Sequence, residues 1–296
     1  MKSTWFLETR PQFLLLSVVL VLHGSALAYW QGSFDWVAFV LSMIGLVLLH
    51  ASVNVLNDWH DYKTGIDLET QRTPFSGGSG MLPGGAMKPG AVLALGLGCL
   101  VVGCAIGFYL VYVSGWPLLV IGGIGAFSVV TYAPLLTRIG VGEIFAGLGL
   151  GYLPVLGVYY VHTGALDAAA WVSAIPAGFL TYNLLFLNEF PDMEADAAGG
   201  RRHMVILLGK AKARFLYSAV ELGTYVAIVV GVVMGVLTPW ALLGLGATVL
   251  AFKAIRGAMV DYESFEALIP AQGANVMAVL ATNALLAVGY LVAGLL

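Results

Sequence analysis

The chain has 296 residues, of which 60% are hydrophobic and only 10% charged, with a net charge of −3 and a mean hydropathy of +0.93. That composition excludes a water-soluble globule and describes an integral membrane protein. No nucleic acid is expected among its partners. Two cysteines, Cys99 and Cys104, both inside one apolar run, are too few for a disulfide framework or a thiolate metal cluster.

Nine continuous apolar runs follow one another, at roughly 11–30, 36–57, 89–113, 116–136, 142–161, 168–190, 213–236, 238–253 and 272–295. Each is about long enough to cross the hydrocarbon core as a helix, and none alternates as a barrel strand would. The expected fold is an all-α polytopic membrane protein with nine transmembrane helices, residues 1–296 forming a single domain. The first run has a basic start and an "ALA" at 26–28, so it also fits the pattern of a cleavable signal.

With the N-terminus in the cytoplasm, nine crossings place all 13 Lys and Arg on that side: Lys2, Arg10, Lys63, Arg72, Lys88, Arg138, Arg201, Arg202, Lys210, Lys212, Arg214, Lys253 and Arg256. The opposite connections are short and carry only Asp35 and Asp167. This obeys the positive-inside rule without exception, so the site is expected on the cytoplasmic side, in what reads as a prokaryotic cell membrane.

Eight of the 16 acidic residues fall in two short stretches: Asp58, Asp61, Asp67 and Glu69 after the second run, and Glu189, Asp192, Glu194 and Asp196 after the sixth. At about 100° per residue, Asn54, Asn57, Asp58 and Asp61 share one helix face, and Asn188, Asp192 and Asp196 form a second stripe. Solvated helix ends would explain an arbitrary acidic cluster beside a membrane. Here both clusters begin with amides still inside the apolar run, and aspartates stacked one turn apart repel unless a cation lies between them. Oxygen donors without cysteine or a histidine pair favour Mg²⁺ over zinc. Magnesium commonly takes one or two carboxylates and completes its shell with substrate phosphate, so a diphosphate is expected between the two helices.

The intervening segments supply anion-binding groups. "RTPFSGGSGMLPGGAMKPG" at 72–90 brings Arg72, Lys88, hydroxyls and glycines whose backbone N–H groups can approach an anion. "GGRRHMVILLGKAKAR" brings Arg201, Arg202 and His203. Lys63, Arg72, Arg138, Arg201 and Arg202 are the expected diphosphate contacts, although juxtamembrane bases also set topology and bind anionic lipid. Pro191 inside the second acidic stretch predicts a kink or restart near residue 190.

These residues carry a resemblance. The chain resembles the UbiA family of intramembrane prenyltransferases, which have nine transmembrane helices and Asp-rich motifs on cytoplasmic loops after helices two and six. The family pattern N-D-x-x-D with a further Asp matches Asn57, Asp58, Asp61 and Asp67, and D-x-x-x-D matches Asp192 and Asp196. "TYAPLLTRIGVGEIFAGLGLG" at 131–151 extends the likeness. "DYKTGID", "RTPFSGGSG" and "VLGVYYVHTG" are most similar to the branch that prenylates 1,4-dihydroxy-2-naphthoate in menaquinone synthesis. The resemblance implies a UbiA-type bundle that uses Mg²⁺ to transfer a prenyl group from a polyprenyl diphosphate to an aromatic acceptor among membrane lipids. Asp58, Asp61, Asp192 and Asp196 would be catalytic. The metal would be held by Asn54, Asn57, Asp58, Asp61, Asp67, Asn188, Asp192 and Asp196. Other acceptors used within the family, such as 4-hydroxybenzoate, homogentisate, haem, chlorophyllide or a glycerol phosphate lipid, remain alternatives.

Loss of diphosphate leaves an allylic cation-like centre, which aromatic faces stabilise. Tyr62 and Tyr132 with Ser76 are placed in the substrate pocket, and Trp59 and Phe190 are further aromatic candidates, each with an ordinary packing role as its alternative. His23, His50 and His162 read as satisfied helix contacts. Glu143 reads as a cap at the start of the fifth helix, and Glu221 as a costly intramembrane acid that must have a partner. Glycines 96, 98, 103 and 107 read as close helix packing. An ion-coupled carrier also buries acids and repeats its halves, and stays open at this level.

Overall fold

The computed structural model describes residues 4–69 and 71–296, with backbone only for Leu68 and Glu69. Lys2, counted above among the basic residues, lies outside them. Among the described residues there is no strand, and nine helical rods are long and apolar enough to span a membrane. They are α1 (Pro11–Trp30), α2 (Trp36–Thr64), α3 (Pro89–Ser114), α4 (Pro117–Leu136), α5 (Gly142–Thr163), α6 (Ala168–Ala198), α7 (Lys210–Val233), α8 (Pro239–Val260) and α9 (Phe265–Leu295).

Several rods outrun the apolar segments that announced them. The second continues seven residues past position 57 to Thr64, and the ninth begins at Phe265 rather than 272. Hydropathy marks only the part of a helix that meets hydrocarbon, whereas the hydrogen-bond ladder propagates for as long as packing supports it. The sixth rod has no restart at 190: α6 is one helix of 31 residues with both Pro176 and Pro191 inside it. A proline removes one donor, and Phe186, Leu187 and Phe190, all fully buried, pack the turn that leads into Pro191.

Helix starts follow local chemistry. Proline begins α1, α3 and α4, where its missing N–H costs nothing. Asp35 accepts from the Ala38 amide at 2.6 Å and Asp167 from the Ala170 amide at 2.9 Å, so these two acids cap α2 and α6 at the end of the bundle away from the motifs.

The main core joins α1, α5, α6, α7, α8 and α9, and includes Leu16, Leu20, Leu27 and Ala28, so the first segment is built into the bundle. His23 ties three rods together, Nδ1 to Asn283 Oδ1 at 3.0 Å and Nε2 to Ser173 Oγ at 2.8 Å. Glu221 of α7 finds its partner on α6, accepting from Asn183 Nδ2 at 2.8 Å. The glycines of α3 divide. A Cβ on Gly96 or Gly103 would press into Leu56 or Leu49 of α2, so these two permit the close α2–α3 approach, whereas Gly98 and Gly107 face open space. Gly107 instead borders an apolar cavity.

Candidate active site

Two turns carry the acidic residues of α2 and α6 toward each other. After Thr64, Gly65 takes φ +84°, a left-handed conformation natural only to glycine, and the short helix Ile66–Glu69 returns Asp67 beneath Asp58 and Asp61. After Ala198, Gly200 takes the same turn with φ +84°, and the Arg201 amide donates back to the Asp196 carbonyl at 2.9 Å. The next amide, Arg202, donates to the Thr137 carbonyl in the α4–α5 connection at 2.8 Å. Arg201 is thereby aimed across the gap. Its guanidinium donates to Asp61 at 2.5 and 2.7 Å and to Asp196 Oδ1 at 3.0 Å, and contacts Asn57 Oδ1 at 3.3 Å. Burial opposes its charge, but Asp61 and Asp196 outweigh that cost and hold it firmly protonated.

Around this bridge lies a cavity of about 190 Å³ lined by α1, α2, α4, α5, α6 and the 71–88 segment. Of the expected metal-binding residues, Asn54, Asn57, Asp61, Asp67, Asn188, Asp192 and Asp196 line it. Asp58 sits immediately behind the wall, 2% exposed, its Oδ2 accepting from the Ser79 amide at 2.6 Å. Some ligand candidates already have protein partners. Asn54 donates to the Thr9 carbonyl at 3.1 Å, Asn57 to Asp61 Oδ2 at 2.9 Å, and Asn188 accepts from Gln272 at 3.3 Å. Three carboxylate oxygens, Asp58 Oδ1, Asp67 Oδ2 and Asp192 Oδ1, are buried without a hydrogen bond among the described residues. Buried oxygens of this kind are costly unless something charged meets them. Burial, then the proximity of Asp58 and Asp61, pushes the Asp67 carboxyl up to about 8.

The basic residues sort differently from expectation. Arg201 lines the cavity, but Lys63, Arg138 and Arg202 are exposed and do not. A helix end or loop with open water on one side gives a long cationic chain no reason to turn inward. Arg72 packs its guanidinium over Gly80, within electrostatic reach of Asp67 and Glu8, and is also absent from the wall. Arg10, counted in the sequence only toward topology, does line it. Its backbone is left-handed at φ +54°, and its guanidinium lies 4.0 Å from Asp58 and 4.6 Å from the Phe13 ring centre.

The glycine segment behaves differently too. Its Ser79 amide serves Asp58, and the Ser79 hydroxyl donates to Glu8 Oε2 at 2.6 Å, so this backbone shapes the carboxylates. Gly78, at φ +72°, leaves room for Asp67: a Cβ there would come to 3.0 Å from its Oδ1. Ser76 is buried in the wall and hydrogen-bonds Asp192. Tyr132 also lines the cavity, at the start of a π-helical turn, Tyr132–Leu136, that widens the end of α4. Tyr62 does not. It packs with Trp59 against Val55, Leu82 and Val92 on the far side of α2, because at one residue past Asp61 it is turned about 100° from the acidic face. Phe190 is fully buried against Phe186, ring centres 5.9 Å apart.

Sequence reasoning passed over four residues that the fold brings here. Arg10 and Glu8 come from the segment before α1, and Phe75 and Glu189 line the cavity directly. Glu189 was visible as one of the clustered acids, one turn before Asp192; the others had no motif to mark them. Beneath the polar end lies a second cavity, of about 210 Å³ and almost wholly apolar, between α2, α3, α4 and α5. It shares Gly125, Val129, Gly149 and Leu150 with the first. The site therefore joins a polar, acid-lined head to a greasy extension.

Comparison with known proteins agrees with this architecture. The chain is 28% identical over 298 residues to 1,4-dihydroxy-2-naphthoate octaprenyltransferase of Escherichia coli (strain K12), covering 97% of this chain and 94% of that one. It is 29% identical over 252 residues to the enzyme of the same name from Bacillus subtilis (strain 168), covering 84% and 80%. Among solved structures, a UbiA homolog from Aeropyrum pernix K1 superposes with a TM-score of 0.74 at 16% identity, covering 93% of this chain and 97% of that one. A UbiA homolog from Archaeoglobus fulgidus, solved bound to GPP and Mg²⁺, does so with a TM-score of 0.60 at 14% identity, covering 95% and 98%. The model of the UbiA prenyltransferase family matches residues 16–267, and the chain belongs to that family of membrane-embedded prenyltransferases.

Proposed function

We propose that this prenyltransferase carries out Mg²⁺-dependent transfer of the prenyl group of a polyprenyl diphosphate to 1,4-dihydroxy-2-naphthoate, at a site facing the cytoplasm, with residues 1–296 acting as one domain. The observation that carries the reading is the convergence of two acidic helices on one cavity. Three buried carboxylate oxygens at or just behind its wall, from Asp58, Asp67 and Asp192, make no hydrogen bond among the described residues. An all-oxygen donor set with unmet lone pairs fits Mg²⁺, which binds through a few carboxylates and the phosphates of its substrate. Asp58, Asp61, Asp67, Asp192 and Asp196 would hold it, with the amides of Asn54, Asn57 and Asn188 at the edges. When bound, Mg²⁺ would neutralise diphosphate and favour its departure.

The remaining work falls to the chain itself. Arg201, fixed by Asp61 and Asp196 and present in the cavity wall, supplies a permanent positive charge for the diphosphate. Arg10 faces the same cavity from the opposite side, beside Asp58. The apolar cavity under the site would take the isoprenoid, at about 0.8 kcal/mol per buried CH₂, and keep water from the allylic centre. Tyr132 offers the one aromatic face of the sequence candidates that borders the reaction space. The ring of the acceptor then forms the new carbon–carbon bond as the allylic carbon–oxygen bond breaks. For a naphthoate attacked at its carboxylated carbon, loss of CO₂ restores the aromatic ring. The relatives named for 1,4-dihydroxy-2-naphthoate support this acceptor over the other rings used in the family.

The test is turnover by purified protein with Mg²⁺, prenyl diphosphates of short and long chain, and 1,4-dihydroxy-2-naphthoate, 4-hydroxybenzoate and homogentisate in parallel, read by product mass. A prenylated naphthoquinol with loss of CO₂, abolished by EDTA and restored by Mg²⁺, is expected. Product with another ring only would overturn the acceptor, and turnover insensitive to EDTA would overturn the metal.

A further inference from the structure

At one edge of the cavity, three side chains from three segments meet without a part in the function above. Glu143 stands at the start of α5, Glu189 lies one turn before Asp192 on α6, and His203 precedes the short helix Met204–Leu208. One ligand atom from each lies within 4.8 Å of the others, and the residues are 0%, 6% and 1% exposed. Glu143 is not the cap of its own helix. Its Oε1 accepts from the Met204 amide, 61 positions away, at 2.5 Å, and its Oε2 accepts from no donor among the described residues. Glu189 Oε2 has none either; His203 Nδ1 is near it at 3.7 Å, beyond hydrogen-bond reach. The two carboxyl groups also touch each other. Carboxyls in such contact, out of water, need a proton or a cation between them.

The imidazole favours the cation. His203 Nδ1 accepts from the Ile206 amide at a long 3.4 Å, which leaves the ring proton on Nε2, 3.2 Å from Asp196 Oδ2 though not hydrogen-bonded to it. A carboxylate beside one ring nitrogen while the other binds is the common arrangement behind metal-ligating histidines, and here a cation at Nδ1 would replace only the long Ile206 contact. The 3.7 Å gap between Nδ1 and Glu189 Oε2 is also close to the separation, about 3.4 Å, of two ligands on one tetrahedral ion with bonds of about 2.1 Å.

The geometry points to a second cation site, in which Glu143 Oε2, Glu189 Oε2 and His203 Nδ1 hold a divalent first-row transition ion of the Zn²⁺ or Mn²⁺ kind. Two carboxylates and a neutral imidazole balance the ion's charge in the interior, and the nitrogen donor separates this site from the all-oxygen motif site. Glu189 borders the main cavity, which gives the ion an entry path. Bound there, the ion would clamp α5 and α6 to the 199–209 segment. It would thus position Arg201 and Asp196 without touching substrate.

Mn²⁺ reports the difference directly, because a bonded imidazole nitrogen adds ¹⁴N hyperfine coupling to its electron spin echo and oxygen ligands do not. In protein titrated with Mn²⁺, one population with this coupling is expected. His203→Gln should abolish it while leaving the oxygen-only population of the motif site, which also verifies that the variant is folded. Glu143→Gln should weaken Mn²⁺ at the nitrogen-coupled site by at least about tenfold. Zn²⁺ should displace the nitrogen-coupled ion before the other. Absence of the coupling at saturating Mn²⁺, or its survival in His203→Gln, overturns the site and leaves a shared proton between the carboxyls. Loss of the oxygen-only population in Asp58→Asn with Asp192→Asn, the nitrogen-coupled one persisting, is expected if the two sites are separate; loss of both together overturns a distinct site. A missing oxygen-only population in the parent protein would count against the motif site instead.

Discussion

The two acidic motifs look alike in sequence and are held in different ways. The first has Asn57, Asp58 and Asp61 on α2 but is completed by irregular backbone: Ser79 donates its amide to Asp58, Gly65 turns Asp67 inward, and Gly78 leaves space for it. The second stands on one uninterrupted helix, and side chains hold it, Arg201 and His203 flanking Asp196 and Ser76 meeting Asp192. A loop-held carboxylate can shift as a substrate enters, whereas a helix-held one is fixed before it arrives. Arg201 is where the two meet, since it pairs with one aspartate of each.

The largest effect expected is on turnover when the unpaired carboxylates are neutralised. Asp58→Asn and Asp192→Asn should each lower kcat by about 10²-fold to 10³-fold or more in steady-state assays, the magnitude of losing one preorganised charge contact. Equal losses from the two would mean that the loop-held and helix-held sides contribute alike; near-normal activity in both would remove the motifs from the chemistry.

Breaking the shared bridge should come next. Arg201→Ala leaves Asp61 and Asp196 without their counter-charge, a change that for buried pairs costs roughly 3–5 kcal/mol, measured as a fall in unfolding free energy of the metal-free protein. Lys63→Ala is the control: its exposed ammonium lies outside the cavity, so stability and KM should both stay within about twofold.

Gly78→Ala sharpens the comparison further, because it strains only the loop-held side. A residue with a Cβ at φ +72° costs roughly 1–2 kcal/mol and crowds Asp67, so a rise in KM for the diphosphate is expected. The matching change on the helix-held side, Ala195→Gly, should cost about 1 kcal/mol through helix propensity and leave KM in place.

A last effect is one of pH. In metal-free protein Asp67 is raised by burial and its neighbouring acids to about 8, and Glu8 by burial to about 7, from unfolded values near 4. The folded state therefore binds more protons than the unfolded one between those values. Stability from these groups is fully present below about pH 4 and lost as pH rises through 7 and 8. Thermal unfolding should thus occur at lower temperature at pH 8 than at pH 6, and Asp67→Asn should flatten the slope.

The carrier alternative left open by composition closes with family membership. Much of the rest was written locally. The nine apolar runs, the proline and aspartate helix starts, and the two acidic stripes are readable because hydropathy and helical period act within a few residues of one another. Asn57, Asp58 and Asp61 could be placed on one face by counting alone. What counting could not do was choose partners. Tyr62 and Lys63 sit beside the motif in sequence and turn away from it, while Arg10, Phe75 and Arg201 come from three separate segments and face it. Pro191 illustrates the same limit, since local rules break a helix that packing on Phe186 and Phe190 keeps whole.

By itself, then, the sequence determined that this chain crosses a membrane as a helical bundle with two acidic helix ends, because burial in lipid leaves the backbone no other way to satisfy its hydrogen bonds. Only the tertiary structure decided which cation stands between those ends, which carboxylate oxygens remain unmet, and that Glu143, Glu189 and His203 share one buried point. Those facts depend on contacts between residues as many as 140 positions apart, and no local pattern encodes a distance of that kind.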